Sequence, residues 1–303
     1  PGHTCGQVHK FAYDTARKDF VPIGIARKAD NRNLIFVPVV YHRQFRLNPE
    51  KALKDLAGIP PIVGDPFFQM TYRIHDARDR WIERHGAVSP VDHKGQFRSD
   101  FRARENIKRV LHIDMGYASG GDACGIAMGH VSHMIQTENG ERKPFIDIDM
   151  IMRLTPPAGR EIMFSDVRQI VYDLRDKLKF NITTVTMDGF ESTDTMQQFK
   201  KRRFKAEYVS MDREILPYED VKDAIYEERF AMPPLMVRFR PEDTELTEIA
   251  VKELSELVDT GTKIDHPDGG TKDVADAIAG VTFTLMGSRR YHSSVVDIGD
   301  YKR

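Results

Sequence analysis

Val110-Leu111-His112-Ile113-Asp114-Met115-Gly116 is followed, after a glycine-rich turn, by Gly121-Asp122-Ala123-Cys124-Gly125-Ile126-Ala127-Met128-Gly129-His130-Val131, and this stretch decides the fold. Residues 110–114 and 125–131 are short apolar runs bounded by turn residues, the pattern of buried strands, with 116–121 as the turn between them. Residues 144–154 read as a third strand. Asn139-Gly140 in the polar loop before it signals a hairpin, because both residues tolerate the positive φ of a tight turn. The period then changes. Apolar residues at 167, 170, 171, 174 and 178 have helical spacing and predict a helix over 165–178. Residues 181–187 are β-branched and read as a fourth strand ending at Asp188-Gly189. Ser192 or Thr193 caps a helix to about residue 204, and 206–211 is a short fifth strand. Helices over 216–229, 241–258 and 273–286 follow. Three consecutive strands, then alternating helices and strands, make a mixed α/β sheet covered by helices on both faces.

Working outward, the first hundred residues give fewer signals. Residues 34–40 read as a strand with Pro38 at an edge or bulge. Asn48 and Pro49 form an N-cap and first helical position, opening a helix to Ala57 that Gly58 and Pro60-Pro61 stop. A second helix covers about 70–85 and contains Trp81, and 86–106 reads as a polar linker. The expected division is an accessory or linker segment over 1–106, the sheet domain over 107–290 and a tail over 291–303. The opening Pro1-Gly2-His3-Thr4 reads as a tag remnant or the start of an excised fragment, so a longer parent protein is expected.

The 303 residues suffice to bury a large core without disulfides, and the two cysteines, Cys5 and Cys124, suit a reducing compartment. No apolar run is long enough for a membrane-spanning helix, and no secretory signal appears. The formal net charge of −1 hides an asymmetry: residues 1–110 carry 20 Lys and Arg against 12 acidic residues, the remainder 25 against 34. Neither half is basic enough for charge alone to establish nucleic-acid binding.

Chemistry points to carboxylates. Asp114 and Asp188 each end a predicted strand just before glycine, at the edge where open α/β sheets bind ligands. Asp before Gly is also ordinary turn chemistry. The helix starting Lys272-Asp273-Val274-Ala275-Asp276-Ala277 changes the balance. Its aspartates, three residues apart, share a face, beside a stripe of Val274, Ala277, Ile278, Val281 and Leu285. Like charges beside a core stripe are unfavourable unless a cation or hydrogen bonds offset them. Aspartates converging from two strand ends and one helix make a hard-oxygen set suited to Mg²⁺ or Mn²⁺. Zinc is disfavoured, since no cysteine–histidine cluster is present. His130 and His133 have metal-like spacing but read as satisfied or solvated histidines. A GxxxxGK[ST] loop and a GxSxG elbow are both absent.

The set Leu111–Gly116, Gly121–Val131, Val185-Thr-Met-Asp-Gly-Phe190 and Lys272-Asp-Val-Ala-Asp-Ala277 resembles the large terminase subunit of tailed bacteriophages. More narrowly it resembles the C-terminal nuclease domain, with the ribonuclease H-like fold shared by Holliday-junction resolvases and retroviral integrases. The resemblance covers about 107–290. Residues 7–106, including Asn48-Pro-Glu-Lys-Ala-Leu-Lys-Asp-Leu-Ala57, look like the segment joining the packaging ATPase to the nuclease. It implies a metal-dependent endonuclease that cuts concatemeric viral DNA during packaging. Asp114 would bridge two Mg²⁺ or Mn²⁺ ions about 4 Å apart, with Asp188 on one and Asp273 or Asp276 on the other. Family members carry adjacent aspartates on this helix where this chain spaces them by three, and Asp273 falls at the first motif position. Asp122 matches the family pattern but reads as a turn residue. Implied partners are double-stranded DNA, the small terminase subunit and the portal protein, in the host-cell cytoplasm, with no membrane.

DNA would be held through its phosphates, since no base-reading motif appears. Candidates are Arg142 and Lys143 beside the hairpin, and Lys200, Lys201, Arg202 and Arg203 with Lys205, flanked by Phe199 and Phe204. The basic run also reads as a solvated helix face. Two rival readings stand: a resolvase-like or recombination nuclease on the same fold, and a non-catalytic docking module between portal and motor.

Overall fold

A computed structural model of the chain describes residues 10–26, 33–59, 64–115, 123–136, 140–156, 160–188, 193–211, 215–240 and 243–293. Two compact units divide at Asp65/Pro66. The expected positions Asp122, Asn139, Gly189 and Ser192 lie outside the described residues.

In the first unit, β1 (Lys10–Asp14), β2 (Asp19–Val21) and β3 (Leu34–Pro38) form an antiparallel sheet in the order β2-β1-β3, with α1 (Ile23–Ala26) between β2 and β3. Pro38 closes an edge strand, where its missing N–H breaks no ladder. A 3₁₀ turn (Val39–Tyr41) leads to α2 (His42–Leu47) and α3 (Pro49–Ala57). As the sequence predicts, the Asn48 side chain accepts the Lys51 N–H at 3.1 Å, and Gly58 ends the helix at φ 67°. Tyr13, Val37, Phe45, Ala52 and Leu53 form this unit's core.

The second unit holds α4 (Tyr72–His85), β4 (Arg109–Met115), β5 (Cys124–Gln136), β6 (Arg142–Leu154), α5 (Phe164–Asp176), β7 (Ile182–Met187), α6 (Thr193–Lys201), β8 (Lys205–Tyr208), α7 (Leu216–Tyr226), β9 (Phe230–Ala231), β10 (Met236–Val237), β11 (Thr247–Glu248), α8 (Ile249–Glu256), β12 (Val258–Asp259), β13 (Ile264–Asp265) and α9 (Asp273–Ser293). The main sheet has the order β8-β7-β4-β5-β6-β9. β4, β5 and β6 form an antiparallel meander, while β7 and β8 continue parallel to β4, so the sheet is mixed, as the sequence predicts. β9 adds a short parallel edge beside β6.

Side-chain alternation sorts the two faces. Val110 points into one core with Ala127, Ile148, Ile151 and helices α7, α8 and α9. Leu111 and Ile113 point into the other, with Met128, Met150 and helices α5 and α6. The sheet is therefore covered on both faces, as the strand pattern predicts.

Several boundaries differ from the sequence expectation. Residues 86–106 are irregular yet pack: Val91 is buried, Phe97 and Phe101 lie against the α5 side, and the Ala103 N–H bonds the Leu178 carbonyl. Trp81 of α4 donates from Nε1 to the Ile148 carbonyl at 2.9 Å. Residues 66–106 thus belong with the sheet unit, not ahead of it. α6 stops at Lys201 because Arg203 adopts φ 67°, and the Phe204 N–H turns back to the Phe199 carbonyl. The helix expected over 241–258 shortens to α8, since Asp243, Thr244 and Glu245 offer no apolar face.

Candidate functional site at the strand ends

One row across the sheet organises the site. Asp114 on β4 stands opposite Gly125 on β5, and Gly125 stands opposite Arg153 on β6. Directly opposed residues project to the same face, here the face that α9 covers. A β-carbon at Gly125 would overlap the main-chain carbonyl of Asp273. Glycine is required there by close approach, and it lets the first turn of α9 lie between Asp114 and Arg153. Two turns further on, a β-carbon at Gly280 would overlap the ring of His112. His112 is fully buried, bonds Thr186 Oγ1 through Nδ1 at 2.7 Å, and is held down to about pKa 3 by desolvation. Glycine contacts therefore seat α9 at both of these points.

Asp188 follows directly after β7. Its N–H approaches the Ile113 carbonyl at 3.4 Å, and Ile113 pairs with Met187 in the parallel ladder. Asp188 and Asp114 are therefore at the same end of adjacent strands. The Asp188 carboxylate accepts the Met211 N–H at 2.8 Å and the Ser210 hydroxyl at 3.4 Å.

Asp273 faces Arg153, with Nε 3.7 Å from Oδ2 and both side chains largely buried. Glu253 of α8 caps the same helix end: its carboxylate accepts the Val274 and Ala275 N–H groups at 2.8 and 2.9 Å and the Thr271 hydroxyl at 2.7 Å. Burial, then the charge of Asp273, pushes the Glu253 pKa up to about 7. The buried Cys124 thiol is also pushed up, by desolvation and by the charges of Asp114 and Asp273 together. Asp276 takes a different direction. It is buried and ion-paired with Lys272 at 3.2 Å, whose ammonium stands 5.9 Å from the Tyr218 ring of α7.

The donor set has the chemistry for a hard divalent cation, being carboxylate oxygen throughout. Among the described residues, however, no three Asp, Glu, His or Cys side chains stand close enough to hold one ion. Asp273 and Asp276 are each turned toward a cation of the chain itself. His130 and His133 are occupied otherwise: His130 Nδ1 bonds Asp149 at 2.9 Å, and His133 stacks on Phe145.

The basic candidates are not gathered at these carboxylates. Arg142 starts β6, eleven residues from Arg153, roughly 36 Å along the strand. Lys143 is ion-paired with Glu227 at 2.7 Å. Lys200, Lys201, Arg202 and Arg203 precede β8, whose first residue, Lys205, pairs with Thr184 near the start of β7, whereas Asp188 follows its end. Arg202 is held by Asp176 at 3.2 Å and lies 3.9 Å from the Tyr172 ring centre, and Lys205 pairs with Glu207 at 3.0 Å. Phe199 and Phe204 are core residues in edge-to-face contact.

Arg153 and Glu253 were not singled out from sequence. Each has a signal there: one arginine closing the run Ile148-Asp149-Met150-Ile151-Met152, and a glutamate between Val251 and Leu254.

No protein-family model and no curated protein matches the sequence. Among solved structures, the chain is similar to the large terminase from a thermophilic bacteriophage. In one crystal form the TM-score is 0.42 at 10% identity, with 62% of this chain and 43% of that chain covered. The complexes of the same terminase with ADP and with ATP-γ-S give TM-scores of 0.41 and 0.45 at 9% and 11% identity, covering 62% and 80% of this chain and 43% and 52% of those chains. The chain thus spans about half the length of these structures or less.

Proposed function

We propose that this chain is a metal-dependent DNA endonuclease that cuts concatemeric viral DNA during genome packaging. The observation that supports the reading is the seating of the first turn of α9 on Gly125, the residue opposite Asp114, at the strand end that Asp188 shares. The sequence motifs carry the same three aspartates in the same order.

Asp114, Asp188 and Asp273 would hold Mg²⁺ or Mn²⁺. Such ions, when bound, lower the pKa of an attacking water and stabilise the leaving 3′-oxygen. Asp114 is fixed by its central strand, and Asp188 is oriented by the Met211 N–H. Glu253 holds the first turn of α9 in place through two main-chain N–H groups. Duplex DNA is the proposed substrate. The small terminase subunit and the portal are the proposed partners, in the host-cell cytoplasm. No helix among the described residues is long and apolar enough to cross a membrane.

The test is nicking of supercoiled plasmid with and without Mn²⁺ by wild type and Asp114→Asn. Mn²⁺-dependent nicking by wild type and its loss in a folded Asp114→Asn protein is the expected result. Residual metal-dependent nicking by the variant above roughly a tenth of wild type contradicts the assignment, since loss of a bridging ligand costs more than that factor of ten.

A further inference from the structure

Three exposed planar groups stand together near the start of β6. Arg84 and His85, in the last turn of α4, have side chains 37% and 41% exposed, and both reach Oδ2 of Asp147, at 2.8 and 3.3 Å. The Asp147 side chain is only 2% exposed, so a carboxylate withdrawn from water fixes the direction of both groups. Aromatic rings support them from below. The Arg84 guanidinium carbon lies 4.9 Å from the Phe145 ring centre, and the His85 ring lies 4.8 Å from that of Trp81. His133 on β5, the ladder partner of Phe145, is exposed and stacks on the same Phe145 ring at 4.8 Å and 18°. Phe145 and Trp81 are themselves buried.

Long side chains at a surface ordinarily keep several rotamers, and ordering them on binding is costly. Here the ordering is done in advance. Asp147 already answers the charge of Arg84, so attraction of an anion alone does not explain the arrangement. Planes held in place do suggest a ligand, because imidazole and guanidinium planes both serve as stacking partners for splayed bases. We infer that this face docks unpaired nucleic acid, with bases stacking on His133, Arg84 and His85. Arg142, exposed at the start of the same strand, supplies charge for the phosphates. A duplex keeps the flat sides of its bases covered, whereas a single strand presents them. An acidic peptide would answer the charges and leave the planes without partners. Asp147 precedes Arg153 by six residues, roughly 20 Å along β6, so the surface is separate from the metal centre proposed above and does not rest on it.

The experiment uses Trp81, the one tryptophan of the chain, as its reporter, since His85 lies against it. The full chain in EDTA is titrated with oligothymidylate, with a blunt duplex of the same length and with polyglutamate. Oligothymidylate is expected to change the Trp81 emission saturably, at lower concentration than either of the others. His133→Ala alters an exposed side chain and is expected to weaken that binding about fivefold or more, the loss of one stacking partner. Arg84→Lys keeps a charge facing Asp147 but removes the plane, and is expected to weaken it too. Wild-type affinity in folded His133→Ala or Arg84→Lys overturns the inference. So does a Trp81 emission that oligothymidylate leaves unchanged, or that the duplex or polyglutamate changes at the same concentration.

Discussion

Gly125 and Asp273 touch main chain to main chain: no side chain of any size fits between strand β5 and the first turn of α9. The whole candidate site depends on that contact, because it decides how near Asp273 comes to Asp114.

Gly125→Ala is therefore expected to lift the start of α9. The obstacle is main chain, which yields less readily than a flexible side chain. The expected destabilisation is about 1–3 kcal/mol, in the range of overpacked cores. Urea unfolding measures it, and Mn²⁺-dependent nicking should fall far more than stability does. A variant as stable and active as wild type would mean that α9 is not pinned there.

The two helical aspartates should separate by readout. Asp273→Ala removes a proposed ligand and is expected to abolish metal-dependent nicking. Asp276→Ala removes the buried carboxylate that is ion-paired with Lys272, whose side chain is 12% exposed. Its main effect is expected on stability, on the order of 3 kcal/mol, with nicking reduced about 10–100-fold at most. Thermal unfolding beside nicking rates distinguishes them. The reverse order, with Asp276→Ala inactive but stable, would move the metal site one turn along α9.

Glu253 makes stability depend on pH. Its carboxyl is protonated in both folded and unfolded chains below the ordinary value of 4.5, so its contribution is fully present there. Between 4.5 and about 7 the unfolded chain releases the proton while the folded chain keeps it, and stability falls as pH rises. The span corresponds to about 3 kcal/mol. His112 acts in the opposite sense: its contribution is lost as pH falls from 6.5 toward about 3. The comparison is therefore between wild type and Glu253→Gln, whose stability should decline less between pH 4.5 and 7. Parallel profiles would show that Glu253 ionises normally.

Replacing Lys200, Lys201, Arg202 and Arg203 by alanine tests whether that face holds DNA. Each lost phosphate contact should lower the slope of log K against log salt by about 0.9. The run lies at the opposite strand end from Asp188, so nicking at saturating DNA should be unaffected. An unchanged slope would assign this face to solvent and to the Arg202–Asp176 pair.

Most of the sheet was legible in the sequence because its strands are apolar runs between glycine and asparagine turns. The Asn48–Gly58 helix was legible because its caps are local chemistry. What escaped was set by tertiary contact. The packing of residues 66–106 onto the sheet depends on Trp81 finding the Ile148 carbonyl, a partner 67 positions away. In the site, strand-end aspartates announce themselves, but Arg153 and Glu253 do not. One borders an apolar strand and the other sits in a short helix, and only the seating of α9 gives them a shared neighbour. The direction of Asp276 was equally hidden, since a shared helical face does not say which cation lies across from each carboxylate.

The most direct measurement is an anomalous difference map at the manganese edge from crystals grown with MnCl₂. The account predicts manganese peaks bounded by the Asp114, Asp188 and Asp273 carboxylates, with Asp273 drawn away from Arg153. Manganese absent from that strand end, with Asp273 still on Arg153 and Asp188 still on the Met211 N–H, would contradict it.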